Sequence, residues 1–419
     1  MDKRSFLKNA GLLGMGSIAG FDGLKQLIES ISAIPSSKVA KDEEFWAKIR
    51  GGYLLKSSYI NLENGYYCFL PQLTLENFIK HVREVNYEGS YYMRTVQFEN
   101  KKIMAAKLAA LAGCSADELI ITRNTTESLD MIIGGLDWKP GDEAVMAEQD
   151  YGSMLEMFKQ IAKRYGVVNK IVSVPNLPRS DEEIVNLYAG AITEKTKLLM
   201  VCHMINITGQ ILPVRKICDM AHSKGVPVMV DGAHAFAHFR FAISELNCDY
   251  YGSSLHKWLS VPLGAGILYV RKENIGKIWP LLAEGEINLD NISRLNHTGT
   301  HPVHTDLAIA DAIDFYNIIG AERKEARLRY LQHYWSDKVR SMPHIILNTP
   351  ADPVRSCAIA NVGVKGMKPG ELADTLMRKY HIYTVPIDGA NVHGCRITPN
   401  VYTTTADLDV LVKALAELG

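Results

Sequence analysis

The sequence has no excess of charge of either sign. Its 419 residues contain 46 lysines and arginines against 46 aspartates and glutamates, so the formal net charge is zero. This balance argues against a protein that binds nucleic acid or a membrane surface through a broad electrostatic patch. It favours a small or locally recognised partner, and it leaves room for self-association because charge adds little to solubility.

Paired cysteines and long apolar runs are also missing. The seven cysteines are scattered and none forms a CxxC motif, which argues against a disulfide scaffold or a zinc finger, so no metal site is predicted. No segment reaches about 18 consecutive apolar residues, and no transmembrane span is therefore predicted. With 47% hydrophobic and 22% charged residues the chain can bury a large core. Its length predicts about two or three domains.

Residues 1–34 differ in character from the rest of the chain. Charged residues open this segment and a short, glycine-rich apolar run follows, which is typical of an export signal. The string Lys3-Arg4-Ser5-Phe6-Leu7-Lys8 resembles the twin-arginine signal, Arg-Arg-x-Phe-Leu-Lys, with Lys3 in place of the first arginine. We therefore expect an exported, periplasmic protein. The alternative is a cytoplasmic protein with an N-terminal amphipathic helix.

The remainder of the chain alternates short apolar runs with helical patterns. The runs predicted as buried strands are residues 119–122, 143–146, 197–201, 226–230 and 266–270, with helices such as 153–165 and 214–224 between them. This alternation predicts an α/β fold with a mostly parallel sheet covered on both faces. Residues 306–340 read as a long charged helical connection, and a smaller α/β pattern from residue 356 ends in an amphipathic helix at 406–418.

Ligands of open α/β sheets bind beyond the carboxyl ends of the strands, so polar residues at those positions are candidates for a site. Lys257 lies among small and aromatic residues in Ser253-Ser254-Leu255-His256-Lys257-Trp258. Burial of an amine lowers its pKa and activates it for Schiff-base chemistry, although most lysines are solvated surface residues. Asp231 ends an apolar run; it is either a helix N-cap or an acid presented at the ligand edge.

Two further polar stretches follow predicted strands. The first stretch opens a predicted helix and reads Thr122-Arg123-Asn124-Thr125-Thr126-Glu127-Ser128. Backbone N–H groups and hydroxyls at a helix start are suited to bind a phosphate. The alternative is a capping box, formed by Thr125 with Ser128 or by Asn124 with Glu127. The second stretch runs from His203 to Gly209, and its Asn206 is either a hydrogen-bond donor to a phenolate oxygen or a turn residue.

Together, and in this order, these motifs resemble the class V branch of the pyridoxal-phosphate enzymes of fold type I, which holds isopenicillin N epimerase, cysteine desulfurases and related transaminases. The motifs are Thr-Thr-Glu-Ser, Asn-x-Thr-Gly, Asp-Gly-Ala-His, His-Lys-Trp, Gly-Thr and Arg-Ile-x-Pro, and the resemblance covers about residues 60 to 419. It implies a large cofactor domain with a seven-stranded sheet (76–305), a small C-terminal domain (306–419) and a segment joining the small domain (35–75).

The resemblance also implies roles for individual residues. Lys257 would form the Schiff base with pyridoxal 5'-phosphate, Asp231 would pair with the pyridine nitrogen, and Arg396 would bind the substrate carboxylate. The alternative for Arg396 is a surface strand residue. The remaining matches are the phosphate ligands Thr125, Thr126, Ser254 and His256, the ring-stacking Tyr151, the phenolic-oxygen neighbours Asn206 and His234, and Thr300. In the family, the Gly-Thr of Gly299-Thr300 reaches the phosphate of the other subunit, which implies a homodimer with shared sites.

The family's reactions begin with an amino acid that forms an external aldimine and loses its α-proton. Desulfurases carry a nucleophilic cysteine shortly before the carboxylate-binding arginine, but residues 383–394 contain no cysteine. Desulfurases also place a histidine where Tyr151 stands. We therefore expect an epimerase-like or transaminase-like enzyme acting on an α-amino acid, with a C–S lyase as the alternative. A cysteine desulfurase or a non-catalytic binding protein is disfavoured, the latter because Lys257 and Asp231 are both present.

Overall fold

The computed structural model describes residues 20–283, 285 and 288–419. The export motif at Lys3 to Lys8 lies outside these residues. The described chain begins with three helices, α1 (Gly20–Glu29), α2 (Ser36–Val39) and α3 (Glu43–Arg50). α1 falls inside the expected leader and buries Leu24. None of the helices in the described ranges has the length and apolarity needed to cross a membrane.

A sheet of seven strands forms the centre of the large domain. Its order is β2-β8-β7-β6-β5-β3-β4. The strands are β2 (Leu119–Thr122), β3 (Glu143–Ala147), β4 (Val168–Val172), β5 (Thr196–Cys202), β6 (Val228–Asp231), β7 (Tyr250–Ser254) and β8 (Gly266–Val270). Only β8 runs antiparallel to its neighbours β2 and β7, whereas the other pairs are parallel. The expectation of an α/β fold with a mostly parallel seven-stranded sheet is confirmed.

Helices cover both faces of this sheet, so most of its strands are buried on both sides and read as continuous apolar runs. Ile120, Met146 and Met229 face α6 and α7, while Ile121, Val145 and Val230 face the opposite helices. The helices of this domain are α4 (Gln72–Glu88), α5 (Gln97–Ala112), α6 (Thr125–Gly135), α7 (Gly152–Tyr165), α8 (Asp181–Ala191), α9 (Val214–Ser223) and α10 (Ile243–Leu246), with a π-helical turn at Tyr92–Val96.

The C-terminal part of the chain forms a second, smaller core. Two long helices, α11 (Val303–Ile319) and α12 (Ala321–Val339), lead into it and are divided at Gly320. An antiparallel sheet of order β12-β13-β10-β9 follows, packed against α13 (Pro369–Tyr380) and α14 (Thr405–Ala416). Its strands are β9 (Ile345–Leu347), β10 (Ala360–Val364), β12 (Val385–Gly389) and β13 (Val392–Ile397).

The segment before α4 is held by this smaller core. β1 (Ile60–Asn61) pairs in parallel with β11 (Ile382–Tyr383), and Glu63 forms an isolated bridge with Thr398 just beyond β13. Residues 60–68 therefore lie beside the end of β13. At the centre of the large sheet, Cys202 and Asp231 are register partners at the ends of β5 and β6, and Gly252 of β7 is opposite Asp231. The segment 60–68 also reaches the turn after β7, where the backbone nitrogen of Cys68 donates to the carbonyl oxygen of His256 at 3.2 Å.

Candidate active site

Lys257 lies in the turn that follows β7, with its amine inside the protein. Its Nζ is 3.0 Å from Nε2 of His234. Burial lowers the pKa of Lys257 from 10.5 to about 8; the negative charge of Asp231 opposes this shift and the positive charge of Arg396 adds to it. The amine is therefore far closer to its neutral, nucleophilic form at physiological pH than a surface lysine would be.

His234 connects Lys257 to a pair of stacked rings. The indole Nε1 of Trp258 donates to Nδ1 of His234 at 3.4 Å. The rings of Trp258 and His238 stack with their centroids 3.6 Å apart and their planes at 15°. The backbone N–H of Ala358 donates to Nε2 of His238 at 3.0 Å. Because burial lowers the pKa of both histidines well below 6.5, both rings are neutral at pH 7.

Sequence reasoning noted Trp258 only as part of a motif and missed His238. The spacing His234-x-x-x-His238 after a strand could have indicated that both rings lie together, but it could not reveal the stack on Trp258. Within the turn, Nδ1 of His238 lies 2.7 Å from the carbonyl oxygen of His234. Since Ala358 donates to the other nitrogen, Nδ1 carries the proton and donates to that carbonyl. The two histidines are therefore fixed with respect to each other.

Asp231 is the last residue of β6 and is 4% exposed. Burial raises the pKa of its carboxyl group, while the backbone N–H of Ala233, which donates to Oδ1 at 2.9 Å, and the charge of Lys257 both lower it. The helix N-cap interpretation is not what the structure shows, because the next helix is α10 and its N-cap residue is Ala242. Asp231 is a carboxyl group presented at the carboxyl edge of the sheet, on the side of Lys257.

At the start of α6 the hydroxyl group of Thr125 meets that of Ser254, the last residue of β7. Oγ of Ser254 lies 2.8 Å from the backbone nitrogen of Thr125 and 2.7 Å from its Oγ1. Asn124 is the N-cap and accepts from the backbone nitrogen of Glu127 at 2.9 Å, so of the two predicted caps this is the one observed. Thr126 is the next, half-buried residue of the helix. Hydroxyls and free N–H groups at a helix start are suited to hold a phosphate.

His256 lies beside Lys257 in the same turn. Its Nδ1 is buried and has no hydrogen-bond partner among the described residues. Burial, followed by the charge of Lys257, lowers the pKa of His256 to about 4. A buried ring nitrogen without a partner is costly in a folded protein. The neutral ring can donate a hydrogen bond to a phosphate oxygen, so the donor set at this edge fits a phosphorylated cofactor.

The other expected cofactor residues occupy different positions around the edge. Tyr151 precedes α7 and is 41% exposed, which leaves its ring free to stack on a ligand. Asn206 follows β5, and its backbone carbonyl oxygen accepts from Nη1 of Arg396 at 3.3 Å. Thr300 is exposed in the loop before α11. The expected roles of Tyr151, the Asn206 side chain and Thr300 stay predictions.

Arg396 does not lie on the surface, which excludes the alternative of a surface strand residue. It forms a buried ion pair with Glu63, in which the two side chains are 8% and 7% exposed. Nη2 of Arg396 is 2.5 Å from Oε1 of Glu63, and Nε is 3.2 Å from Oε2. Sequence reasoning missed Glu63, because 333 residues separate the two partners and no local pattern links them.

The cysteines show no features of a nucleophile. All seven are free, and six of them are buried. Burial raises the pKa of Cys395, which adjoins Arg396, to about 12, and the same cause raises the pKa of Cys357 to about 12. A nucleophilic cysteine requires a lowered pKa and access to substrate. Buried thiols with raised pKa values lack both of these properties, and the expectation that no cysteine acts in catalysis stays a prediction.

The chain is similar to known proteins over most of its length. The family model described as aminotransferase class-V matches residues 72–411. Isopenicillin N epimerase of Streptomyces clavuligerus is 26% identical over 396 residues, which cover 89% of this chain and 98% of that protein. A probable cysteine desulfurase of Halalkalibacterium halodurans is 27% identical over 324 residues, 72% of this chain and 77% of that protein.

Solved structures show the same fold. The complex of the cystine C–S lyase C-DES with its product, cysteine persulfide, has a TM-score of 0.77 at 22% identity and covers 86% of this chain and 98% of that one. A C-DES variant with glycine covalently linked to its PLP cofactor has a TM-score of 0.76 at 21% identity, covering 87% and 97%. At these identities the likeness establishes the fold alone.

Proposed function

Because the chain belongs to the class V aminotransferase family, we propose that it is a pyridoxal-phosphate-dependent enzyme that acts on an α-amino acid in an epimerase-like or transaminase-like reaction. The observation that carries this proposal is the position of the Lys257 amine, which lies at the carboxyl edge of the sheet, 3.0 Å from Nε2 of His234, with Asp231 and Arg396 as the main charges acting on it. Burial also lowers the pKa of Lys324 to about 8, but that amine is bonded to the backbone oxygen of Trp258, whereas Lys257 faces a neutral imidazole and is placed to react with a carbonyl.

The residues described above fit the cofactor. Lys257 would bind it covalently, Asp231 would face its pyridine nitrogen, and the phosphate would lie at the start of α6, beside the hydroxyl groups of Thr125 and Ser254. Pyridoxal phosphate supplies a carbonyl that reacts with amines and a ring that accepts electron density from Cα. Tyr151 would stack on that ring. Further hydrogen bonds to the phosphate would come from His256 and Thr126, and those to the phenolic oxygen from Asn206 and His234.

The chain's own residues perform the remaining tasks. The guanidinium of Arg396 holds the α-carboxylate and so fixes the direction in which Cα presents its proton. The amine of Lys257 accepts that proton, and its lowered pKa keeps it available as a base near neutral pH. The burial of Lys257, Asp231 and Arg396 keeps bulk water away from the reacting atoms.

The cysteines and Tyr151 favour an epimerase or transaminase over a desulfurase. Burial raises the pKa of every thiol in the chain, so none is poised to attack the sulfur of a bound cysteine. Among the named relatives, an isopenicillin N epimerase aligns over almost its full length. A C–S lyase needs no catalytic thiol and is the alternative function. The experiment below must distinguish it from an epimerase or a transaminase.

Two further parts of the proposal concern assembly and location. We propose a homodimer in which Thr300 serves the site of the second subunit, because this residue is exposed and the neighbouring helices carry exposed aromatic side chains, Tyr87, Tyr91 and Phe98. We also propose export by the twin-arginine route, which rests on the motif from Lys3 to Lys8. Sedimentation of the cofactor-loaded protein tests the first, and fractionation of expressing cells tests the second.

An amino-acid panel identifies the reaction. The cofactor-loaded protein is incubated in deuterium oxide with each amino acid, and deuterium at Cα, keto acid, ammonia and sulfide are measured in parallel. Deuterium exchange with inversion at Cα and no other product indicates an epimerase, whereas stoichiometric keto acid indicates a transaminase. Release of a side-chain fragment indicates a lyase. A protein that takes up no cofactor and exchanges no α-proton contradicts the proposed function.

A further inference from the structure

The substrate-binding arginine of the proposed site already has a carboxylate partner within the chain. Glu63 contacts the Nε and Nη2 atoms of Arg396, which form one edge of the guanidinium. Asn206 accepts from Nη1 through its backbone oxygen. One N–H on Nη1 and one on Nη2 are left to a ligand. A substrate carboxylate therefore binds to a guanidinium whose charge Glu63 already balances.

Several contacts hold Glu63 in this place. Its backbone forms the isolated bridge with Thr398, two residues beyond Arg396. Its Oε1 also accepts from the backbone nitrogen of Tyr66 at 2.9 Å. At Gly65 an added Cβ would lie 2.7 Å from Cζ of Arg396, so the guanidinium packs directly on the glycine backbone. The segment from Glu63 to Tyr66 is thus shaped around the arginine.

Arg396 is the main cation that acts on the Lys257 amine. It is the positively charged group among the principal causes that set the pKa of Lys257. The other buried amine near this turn, that of Lys324, is engaged by the backbone oxygen of Trp258. The nearby rings of His234 and His256 are neutral, since burial lowers the pKa of both. A substrate with one carboxylate places two negative charges around Arg396. A substrate with a second carboxylate on its side chain adds a third negative charge to the region of Glu63.

We propose that Glu63 is a specificity-determining residue, which restricts the site to amino acids with neutral or cationic side chains and disfavours dicarboxylic ones. This inference rests on the proposed function, because it takes Arg396 as the anchor of the α-carboxylate. The repulsion is effective because Glu63 is buried and fixed, where solvent screens a charge poorly. In wild-type protein, aspartate should bind at least about tenfold more weakly than asparagine, as expected for like charges several ångströms apart at partial burial.

The experiment compares isosteric ligands on the cofactor-loaded protein. Dissociation constants for L-asparagine, L-aspartate, L-glutamine and L-glutamate are measured from the absorption change of the bound cofactor and, independently, by calorimetry. The variants are Glu63→Gln, which removes the charge and keeps the shape, and Glu63→Asp, which keeps the charge. Glu43→Gln is the matched control, because Glu43 pairs with the buried Arg327 at 2.5 Å, and that pair is no part of the site.

The ratio of the two dissociation constants reports the outcome even if a variant binds all ligands more weakly. We expect Glu63→Gln to lower the aspartate-to-asparagine ratio by at least about tenfold, while Glu63→Asp and Glu43→Gln leave it at the wild-type value. An unchanged ratio in Glu63→Gln, or a wild type that binds aspartate as well as asparagine, overturns the role of Glu63 and leaves the proposed function standing. If the protein takes up no cofactor and no amino acid of the panel described above exchanges its α-proton, the proposed function fails as well.

Discussion

The indole of Trp258 controls the protonation of Lys257 through the ring of His234. An indole N–H can only donate, so Nδ1 of His234 must accept and the single proton of the neutral ring lies on Nε2. That Nε2–H faces Nζ of Lys257 at 3.0 Å and can donate to the neutral amine, but it cannot accept from the ammonium. Trp258 therefore stabilises the neutral form of Lys257, in addition to the effect of burial.

The substitution Trp258→Phe removes the indole donor and keeps a ring to stack on His238. Nδ1 of His234 can then carry the proton, which leaves Nε2 free to accept from the ammonium of Lys257. The pKa of Lys257, about 8 in the wild type, should rise. A hydrogen bond contributes about 0.5 to 1.5 kcal/mol net and one pKa unit equals 1.36 kcal/mol, so the rise should be about 0.4 to 1.1 units.

The assay follows the uptake of pyridoxal phosphate by the apoprotein as a function of pH. Only the free amine reacts, so the midpoint of the rate profile should move to higher pH in Trp258→Phe, and uptake at pH 7 should slow. Pyridoxal phosphate itself also changes its protonation with pH, but this contribution is the same for both proteins and cancels when their midpoints are compared. Trp335→Phe is the matched control, because Trp335 is fully buried and its Nε1 has no hydrogen-bond partner within the part of the chain that the structure describes. A folded Trp258→Phe protein with an unchanged or lowered midpoint would refute the reasoning.

The remaining predictions concern single side chains of the site. Lys257→Ala should abolish the visible absorption of the cofactor-loaded protein, which absorption spectra and mass spectrometry after borohydride reduction would test. Asp231→Asn should retain that absorption and lose most of the turnover, since the ring loses its charged partner; full activity would contradict the role. Arg396→Ala should raise KM for α-amino acids more than for amines without a carboxylate. Gly65→Ala should destabilise the protein by about 1–3 kcal/mol in thermal unfolding, because its Cβ would overlap Arg396.

Local sequence patterns predict the large domain well. The apolar runs at Leu119, Glu143, Thr196 and Gly266 form strands because both faces of the sheet are covered. These strands have only four to seven residues, and such short runs favour a buried strand over a buried helix. The strand-end rule then places Asp231 and Lys257 at one edge, where the structure has them. The antiparallel direction of β8 could not be predicted, because an apolar run carries no information about the direction of the strand in the sheet.

The parts of the site that sequence reasoning missed are the contacts that cross between distant segments. Glu63 meets Arg396, and Ala358 meets His238 across 120 residues. These contacts tie the segment before α4 and the smaller core to the carboxyl edge of the large sheet. A lysine surrounded only by its own turn would be solvated and keep its pKa near 10.5. The pKa of Lys257, about 8, therefore depends on the burial that these contacts provide. Any change that loosens the smaller core should raise this pKa toward that of an ordinary, protonated amine.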